Sequence, residues 1–258
     1  MADEQVMLYE TDGKIGIVTL NRPDKLNAIN MPVREQLLAQ LQRADAEPAT
    51  SVVILRAEGR SFCVGYDIGV QDPAKDAWRH DALRWHQHLG TGLVLEMTPW
   101  YMRKPVIASV QGHALGGGCE LTMFCDMTIA ADNATFGEPE VRFSNTGPGI
   151  VMPWIIGYKK ARELGMVNRV VPLDQLKDAT LKFARRLTNV SPEALVATKL
   201  SINRGADAAG FRNAMQSGLD VVAPLYAAKT EAGMQFHDIT QKEGLGAALK
   251  WRRAQFEE

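Results

Sequence analysis

The stretch Gly112-His113-Ala114-Leu115-Gly116-Gly117-Gly118-Cys119-Glu120-Leu121 has the makings of a reactive turn, because it follows a strand-like run and leads into a helix-compatible one. Glycines at such a junction let a ligand approach bare backbone. The first N–H groups of a helix have no internal partners and carry partial positive charge, so the turn can hold an anion or a developing oxyanion. Glu120 stands three residues after Gly117, which in a first helical turn puts its carboxylate on nearly the same face as the Gly117 N–H. An acid/base group then lies beside an electrophile-stabilising one. Taken alone, three glycines equally fit tight helix–sheet packing, with Glu120 only favouring the helix dipole. The turn is not a dinucleotide-binding fingerprint, since the glycine spacing and the later acidic residue on a second strand are missing.

Two more fragments sharpen the reading. In Gly59-Arg60-Ser61-Phe62-Cys63-Val64-Gly65-Tyr66-Asp67-Ile68, Gly65 permits a sharp turn that can aim the Tyr66 N–H into a pocket. In Thr135-Phe136-Gly137-Glu138-Pro139-Glu140, Pro139 restricts the backbone just before Glu140, which is either a second acid/base group or part of an exposed acidic turn. The three fragments together are far more specific than any one of them.

These fragments need elements to position them. Ile15 to Leu20, Ser51 to Leu55, Val106 to Val110 and Met127 to Ala131 read as strands, and Met31 to Ala46 has helical apolar spacing. Beyond Pro172 the chain turns helical: Leu176 to Leu187, Pro192 to Asn203, Phe211 to Ala228 and Leu245 to Phe256, with Ser191 as an N-cap and Pro192 at the first helical position. Residues Gln71 to Thr98 read as a mobile flap or helix over a pocket, and Trp78, Trp85, Trp100 and Trp154 either border that pocket or anchor the core. No internal repeat is visible.

With 258 residues, 46% of them hydrophobic, the chain is long enough for a sizeable core. A formal charge of -1 argues against a nucleic-acid coat. Cys63, Cys119 and Cys125 form neither a CxxC pair nor an even framework, so no zinc site or disulfide scaffold is expected. His86-x-His88 lacks a carboxylate or cysteine at ligand spacing and reads as a solvated helix, so no metal is expected. The opening residues lack a basic and an apolar signal region, and no apolar run has the length of a membrane span. A cytoplasmic protein is the expectation, with no membrane and no nucleic acid among its partners.

Phe62 to Ile68, Gly112 to Glu120 and Phe136 to Glu140, together with Leu20-Asn21-Arg22-Pro23, Leu26-Asn27-Ala28, Gly165 to Pro172 and Glu243-Gly244, resemble the crotonase superfamily in order and spacing over nearly the whole chain. The resemblance implies an α/β fold: a spiral of ββα units carrying the acyl-CoA site over residues 1–172, and a helical region, 173–258, that assembles homotrimers or homohexamers. It implies an oxyanion hole from the N–H groups of Tyr66 and Gly117, worth a few kcal/mol per donor to an enolate-like thioester oxygen. It makes Glu120 and Glu140 the pair that holds water and moves its proton, a coupled pair in titration. Lys25, Leu26, Ala28, Cys63, Val64, Gly65, Asp67, Ile68 and Gly116 become substrate contacts, with Lys25 and Arg60 as phosphate contacts if they are not simply solvated. Coenzyme A is then part of the substrate, and no separate cofactor is implied.

The implied reaction is hydration of 2-enoyl-CoA to 3-hydroxyacyl-CoA. Double-bond isomerisation, thioester hydrolysis, decarboxylation, and a non-catalytic acyl-CoA- or RNA-binding role stand as alternatives. Two departures bear on the choice. Gly147-Pro148-Gly149 is followed by Ile150-Val151-Met152-Pro153 where similar proteins carry small residues, which reshapes the acyl end of the pocket. The connection from Gly157 to Gly165 is also shorter than the family's by on the order of 20 residues. Either it is a deletion or a stretch is missing from the sequence; a helix deleted from a packed layer would expose apolar surface, which favours the second.

Overall fold

The computed structural model describes residues 5–69, 80–139, 151–152, 154, 167–228 and 230–255. Glu140, Gly147 to Ile150, Pro153, Trp78 and the connection from Gly157 to Gly165 lie outside the described residues.

The main sheet has six strands in the order β1-β2-β3-β4-β6-β8: β1 (Met7–Asp12), β2 (Ile15–Leu20), β3 (Val52–Ala57), β4 (Val106–Val110), β6 (Met127–Ala131) and β8 (Arg169–Val171). Only β1 runs antiparallel to its neighbour; the other pairs are parallel. A parallel sheet must be covered on both faces, which is why β2 and β4 are buried at every position rather than alternating. The register lines up Ile17, Ile54 and Ile107 across three strands. That face packs on α5 (Leu176–Leu187) through Leu176 and Ala184. The opposite face, with Val18, Val53, Leu55, Val106 and Ala108, packs on Val33, Leu37 and Leu41 of α1 (Met31–Ala46).

A second, smaller ladder runs beside the first. Ile29 bridges Tyr66, Cys63 bridges Ala114, and β5 (His113–Leu115) pairs in parallel with β7 (Thr135–Gly137). Each of β2, β3, β4 and β6 is thus followed within a few residues by a segment of this inner ladder. α1, α2 (Ala82–Glu96) and α4 (Gly117–Met123) follow the first three of those segments. This is a repeating ββα winding, and the reactive fragments are its inner ladder.

The helical layer comprises α2, the short α3 (Thr98–Tyr101), α4, α6 (Pro192–Ala208), α7 (Phe211–Ala227), α8 (Glu231–Glu243) and α9 (Leu245–Ala254). Residues 82–96 form a regular helix capped by Asp81, whose carboxylate accepts from the Leu83 and Arg84 N–H groups. Its Trp85, Leu89 and Leu93 pack on Phe211, Met215 and Leu219 of α7. Of the two readings of Gln71 to Thr98, a mobile flap or a helix, residues 82–96 take the second, docked by an apolar face, and 71–79 lie outside the described residues. Trp100 and Trp154 flank Phe211 with ring centroids at 4.5 Å and 5.6 Å, and Trp85 meets Tyr226 at 4.8 Å; Trp85 is a buried core anchor, Trp100 is half-buried against the core, and Trp154 is exposed at its edge. His86 pairs with Asp220 of α7 at 3.1 Å. Among the described residues no helix is long and apolar enough to cross a membrane, and no cluster of three potential metal ligands exists.

Candidate active site

The Tyr66 and Gly117 amides come from consecutive turns of the spiral. Cys63 donates its N–H to the His113 carbonyl at 3.0 Å and accepts from the Leu115 N–H at 2.9 Å, which sets the two segments side by side. One residue on, the Gly116 N–H goes to the Gly137 carbonyl at 2.9 Å, and α4 begins. On the other side, Ile29 donates to the Gly65 carbonyl at 2.8 Å and accepts from the Asp67 N–H at 3.0 Å. In a strand-like segment alternate amides point opposite ways, so fixing residues 65 and 67 on Ile29 turns the Tyr66 N–H away from it. Neither the Tyr66 nor the Gly117 N–H has an acceptor among the described residues.

The closeness of the two loops is visible at glycines that admit no side chain. Gly65 has φ +88, and a Cβ there would stand 2.9 Å from the Leu115 carbonyl oxygen and 3.4 Å from the Gly117 nitrogen. A Cβ at Gly117 would come 2.7 Å from Cε2 of Tyr66, and one at Gly118 would run into the Cys63 carbonyl. The triple glycine therefore serves both readings of the sequence: it allows tight packing, and it leaves bare amides at a helix start. No side chain caps α4, so its first N–H groups are open to a ligand.

Glu120 lies on α4, three residues after Gly117, and is 3% exposed. The Tyr66 phenol is raised well above its usual range, first by burial, then by the charge and hydrogen bond of Glu96, with Glu120 adding to it and Arg34 opposing. Glu120 and Tyr66 therefore share one electrostatic environment. Glu140 lies outside the described residues; β7, which leads toward it, is bonded to Gly116 through Gly137.

The expected substrate contacts fall into two groups. Lys25 and Ile68 are exposed, Leu26 and Val64 half-buried, and together they border the loop turned toward solvent. Cys63 is fully buried with both backbone groups engaged, and burial pushes its thiol up to about 12, so it is scaffold rather than a contact surface. Ala28, Gly65 and Gly116 are also buried. Asp67 accepts from Arg22 Nη1 at 2.8 Å and from the Gly69 N–H at 3.1 Å. Arg22 also donates to the Ala28 carbonyl at 3.1 Å, which makes Asp67 a brace between the Lys25–Ala28 segment and the Tyr66 loop. Asn27 completes that brace: it holds φ +56 and donates to the carbonyls of Glu58 and Ser61, both at 2.9 Å.

Sequence reasoning missed Glu96, Arg34 and Gly92. Glu96 Oε1 accepts from the Tyr66 hydroxyl at 2.6 Å, and the Arg34 guanidinium lies 5.1 Å from the Tyr66 ring centre. Nothing in the spacing of Glu96 marks it, because its partner is 30 residues away in sequence.

Residues 10–163 match the enoyl-CoA hydratase/isomerase family model. The chain belongs to that family. It is 32% identical to the crotonyl-CoA hydratase of Syntrophomonas wolfei, with 99% of each chain covered. It is 31% identical to a "Probable enoyl-CoA hydratase" of Rhizobium meliloti, with 98% of each covered. The crystal structure of an enoyl-CoA hydratase/isomerase from Xanthobacter autotrophicus Py2 superposes with a TM-score of 0.88 at 33% identity, covering 98% of this chain and 99% of that one. The architecture is therefore the crotonase fold, an N-terminal sheet with C-terminal helices, and family membership implies an acyl-CoA substrate.

Proposed function

We propose that this family member hydrates 2-enoyl-CoA thioesters to 3-hydroxyacyl-CoA. The observation that carries the reading is the pair of amides, Tyr66 and Gly117, which have no acceptor among the described residues and lie side by side near the buried Glu120. Two amide donors on the thioester oxygen stabilise the enolate-like charge that develops when a nucleophile adds at the β-carbon. Glu120 activates the water that adds there, and Glu140 delivers a proton to the α-carbon, with no metal or redox group in the scheme. Backbone of Lys25, Leu26 and Ala28 and the segment Val64-Gly65 receive the CoA portion, and Lys25 faces its phosphates. Residues 1–172 carry this site, and 173–258 serve assembly into trimers or hexamers; exposed Ile202 and Val221 on α6 and α7 support that role. The hydratase names of relatives near 31% identity support the choice of reaction.

The test is crotonyl-CoA turnover followed by loss of enoyl absorbance. Wild type hydrates, and the double variant Glu120→Gln/Glu140→Gln loses on the order of 1,000-fold or more in kcat. No hydration by wild type, or undiminished hydration by the double variant, would refute the assignment; turnover of 3-enoyl-CoA alone would reassign it to isomerisation.

A further inference from the structure

Tyr66 contributes more to its loop than an amide. Its ring is wedged among three helices: Arg34 of α1 lies on one face, Gly92 of α2 faces the hydroxyl, and Gly117 of α4 lies against the ring edge. At two of these positions any side chain would force the ring to shift. A Cβ at Gly92 would stand 2.5 Å from the Tyr66 hydroxyl, and one at Gly117 would stand 2.7 Å from Cε2. Two glycines on separate helices make room for one ring, which marks a built seat rather than incidental packing. At its end, Glu96, 1% exposed, accepts the hydroxyl at 2.6 Å. Arg34 is itself held, donating to the Thr91 hydroxyl at 2.8 Å. The same Glu96 oxygen lies 3.0 Å from where a Gly117 Cβ would be, so the carboxyl touches the second amide's loop as well.

We propose that Glu96 is a positioning residue of the thioester site: by accepting the Tyr66 hydroxyl it locks the ring across Gly117 and fixes the spacing of the two amides that bind the thioester oxygen. The inference rests on the reading of those amides as an oxyanion hole. The Ile29 bridge sets which way the Tyr66 N–H points, while the ring and Glu96 set its distance from α4. Oxyanion donors act through geometry fixed in advance, so slack between them appears in the chemical step rather than in CoA binding.

The experiment measures kcat and KM with crotonyl-CoA, together with the carbonyl stretch of bound butyryl-CoA labelled at its thioester carbon, a ligand that cannot be hydrated. Wild type shifts the stretch to lower frequency. Tyr66→Phe and Glu96→Ala lose a large part of that shift, and kcat falls about 10-fold with KM within about 2-fold. Glu96→Gln keeps an acceptor for the hydroxyl and returns to within about 3-fold of wild type. If Glu96→Ala fails to fold, Tyr66→Phe, which removes a single oxygen, carries the test. Unchanged kcat and carbonyl shift in Tyr66→Phe would overturn the positioning role and leave the oxyanion hole standing, as would a change in KM alone, or Glu96→Gln as impaired as Glu96→Ala. A wild type that binds butyryl-CoA without any carbonyl shift would overturn the oxyanion reading itself.

Discussion

The inner ladder of the spiral and the C-terminal helical layer are held together by different means. In the ladder the contacts are backbone on backbone: Cys63 with His113 and Leu115, Ile29 with Gly65 and Asp67, Gly116 with Gly137. In the helical layer they are made by side chains: Phe211 among Trp100, Trp154 and Phe124, and Lys199 of α6 reaching the Asp126 carboxylate at 2.8 Å and the Pro99 backbone carbonyl at 2.6 Å. A site built from amides should lose most when a glycine acquires a Cβ, and less when a positioning side chain such as Glu96 is replaced. A layer built from side chains behaves the opposite way. The two regions therefore separate turnover from stability.

The largest effect expected on the helical side comes from Lys199→Met. Lys199 is 5% exposed and donates to Asp126 and to the Pro99 and Lys104 carbonyls; the Asp126 side chain is partly exposed, and burial raises its carboxyl while Lys199 opposes the rise. Losing these charge-assisted contacts costs about 2–3 kcal/mol, so thermal melting should drop by roughly 5 °C or more. Turnover of the folded enzyme below that temperature stays within about 2-fold of wild type if the division of labour holds. A variant that melts normally but loses activity would break the comparison.

Gly65→Ala is the converse. The left-handed φ costs an alanine about 1–2 kcal/mol, a small loss of melting temperature, while the new Cβ presses the Leu115 carbonyl and the Gly117 nitrogen away from Tyr66. Turnover should fall about 100-fold. Equal loss of stability and activity would show that the loop is ordinary packing.

Asp67→Asn probes the brace between the Lys25–Ala28 segment and the Tyr66 loop and gives the smallest effect. Burial acts to raise the Asp67 carboxyl, but the Arg22 hydrogen bond, the Gly69 N–H and the charges of Arg22 and Lys25 outweigh it and hold it below its ordinary value. A group depressed in the folded state contributes stability above its unfolded pKa and loses it as pH falls through the folded one. Wild type should therefore exceed the variant by on the order of 1 kcal/mol at pH 7, and the gap should close in urea titrations as pH falls below the ordinary carboxylate range. A gap that persists in acid would assign the loss to packing rather than to the ion pair.

The same contrast explains what could be read in the sequence. α1 and α5 announce themselves over their full lengths by apolar spacing, and the Ser191 hydroxyl does accept from the Ala194 N–H at 3.2 Å as its N-cap position requires. The glycines marked each of the two turns locally, whereas the pairing of the Tyr66 and Gly117 amides was implied only by the family resemblance. β5 and β7, three residues each, were not, since so short a run has no period and exists only through its partner. α8 was missed because it buries only Thr240 and so has no apolar stripe. The ββα repeat is a repeat of topology, with turns and helices of unequal length, and leaves no periodicity in the residues. Glu96 was invisible for a related reason: its role is defined by a hydroxyl on the preceding turn of the spiral.

The most direct test of the account is a crystal structure of the enzyme with a bound acyl-CoA thioester. The account predicts the thioester oxygen about 2.7–3.2 Å from both the Tyr66 and the Gly117 nitrogen, with the Glu120 carboxylate facing the adjacent space. An oxygen in contact with neither amide, or amides aimed apart and bonded within the protein, would contradict it.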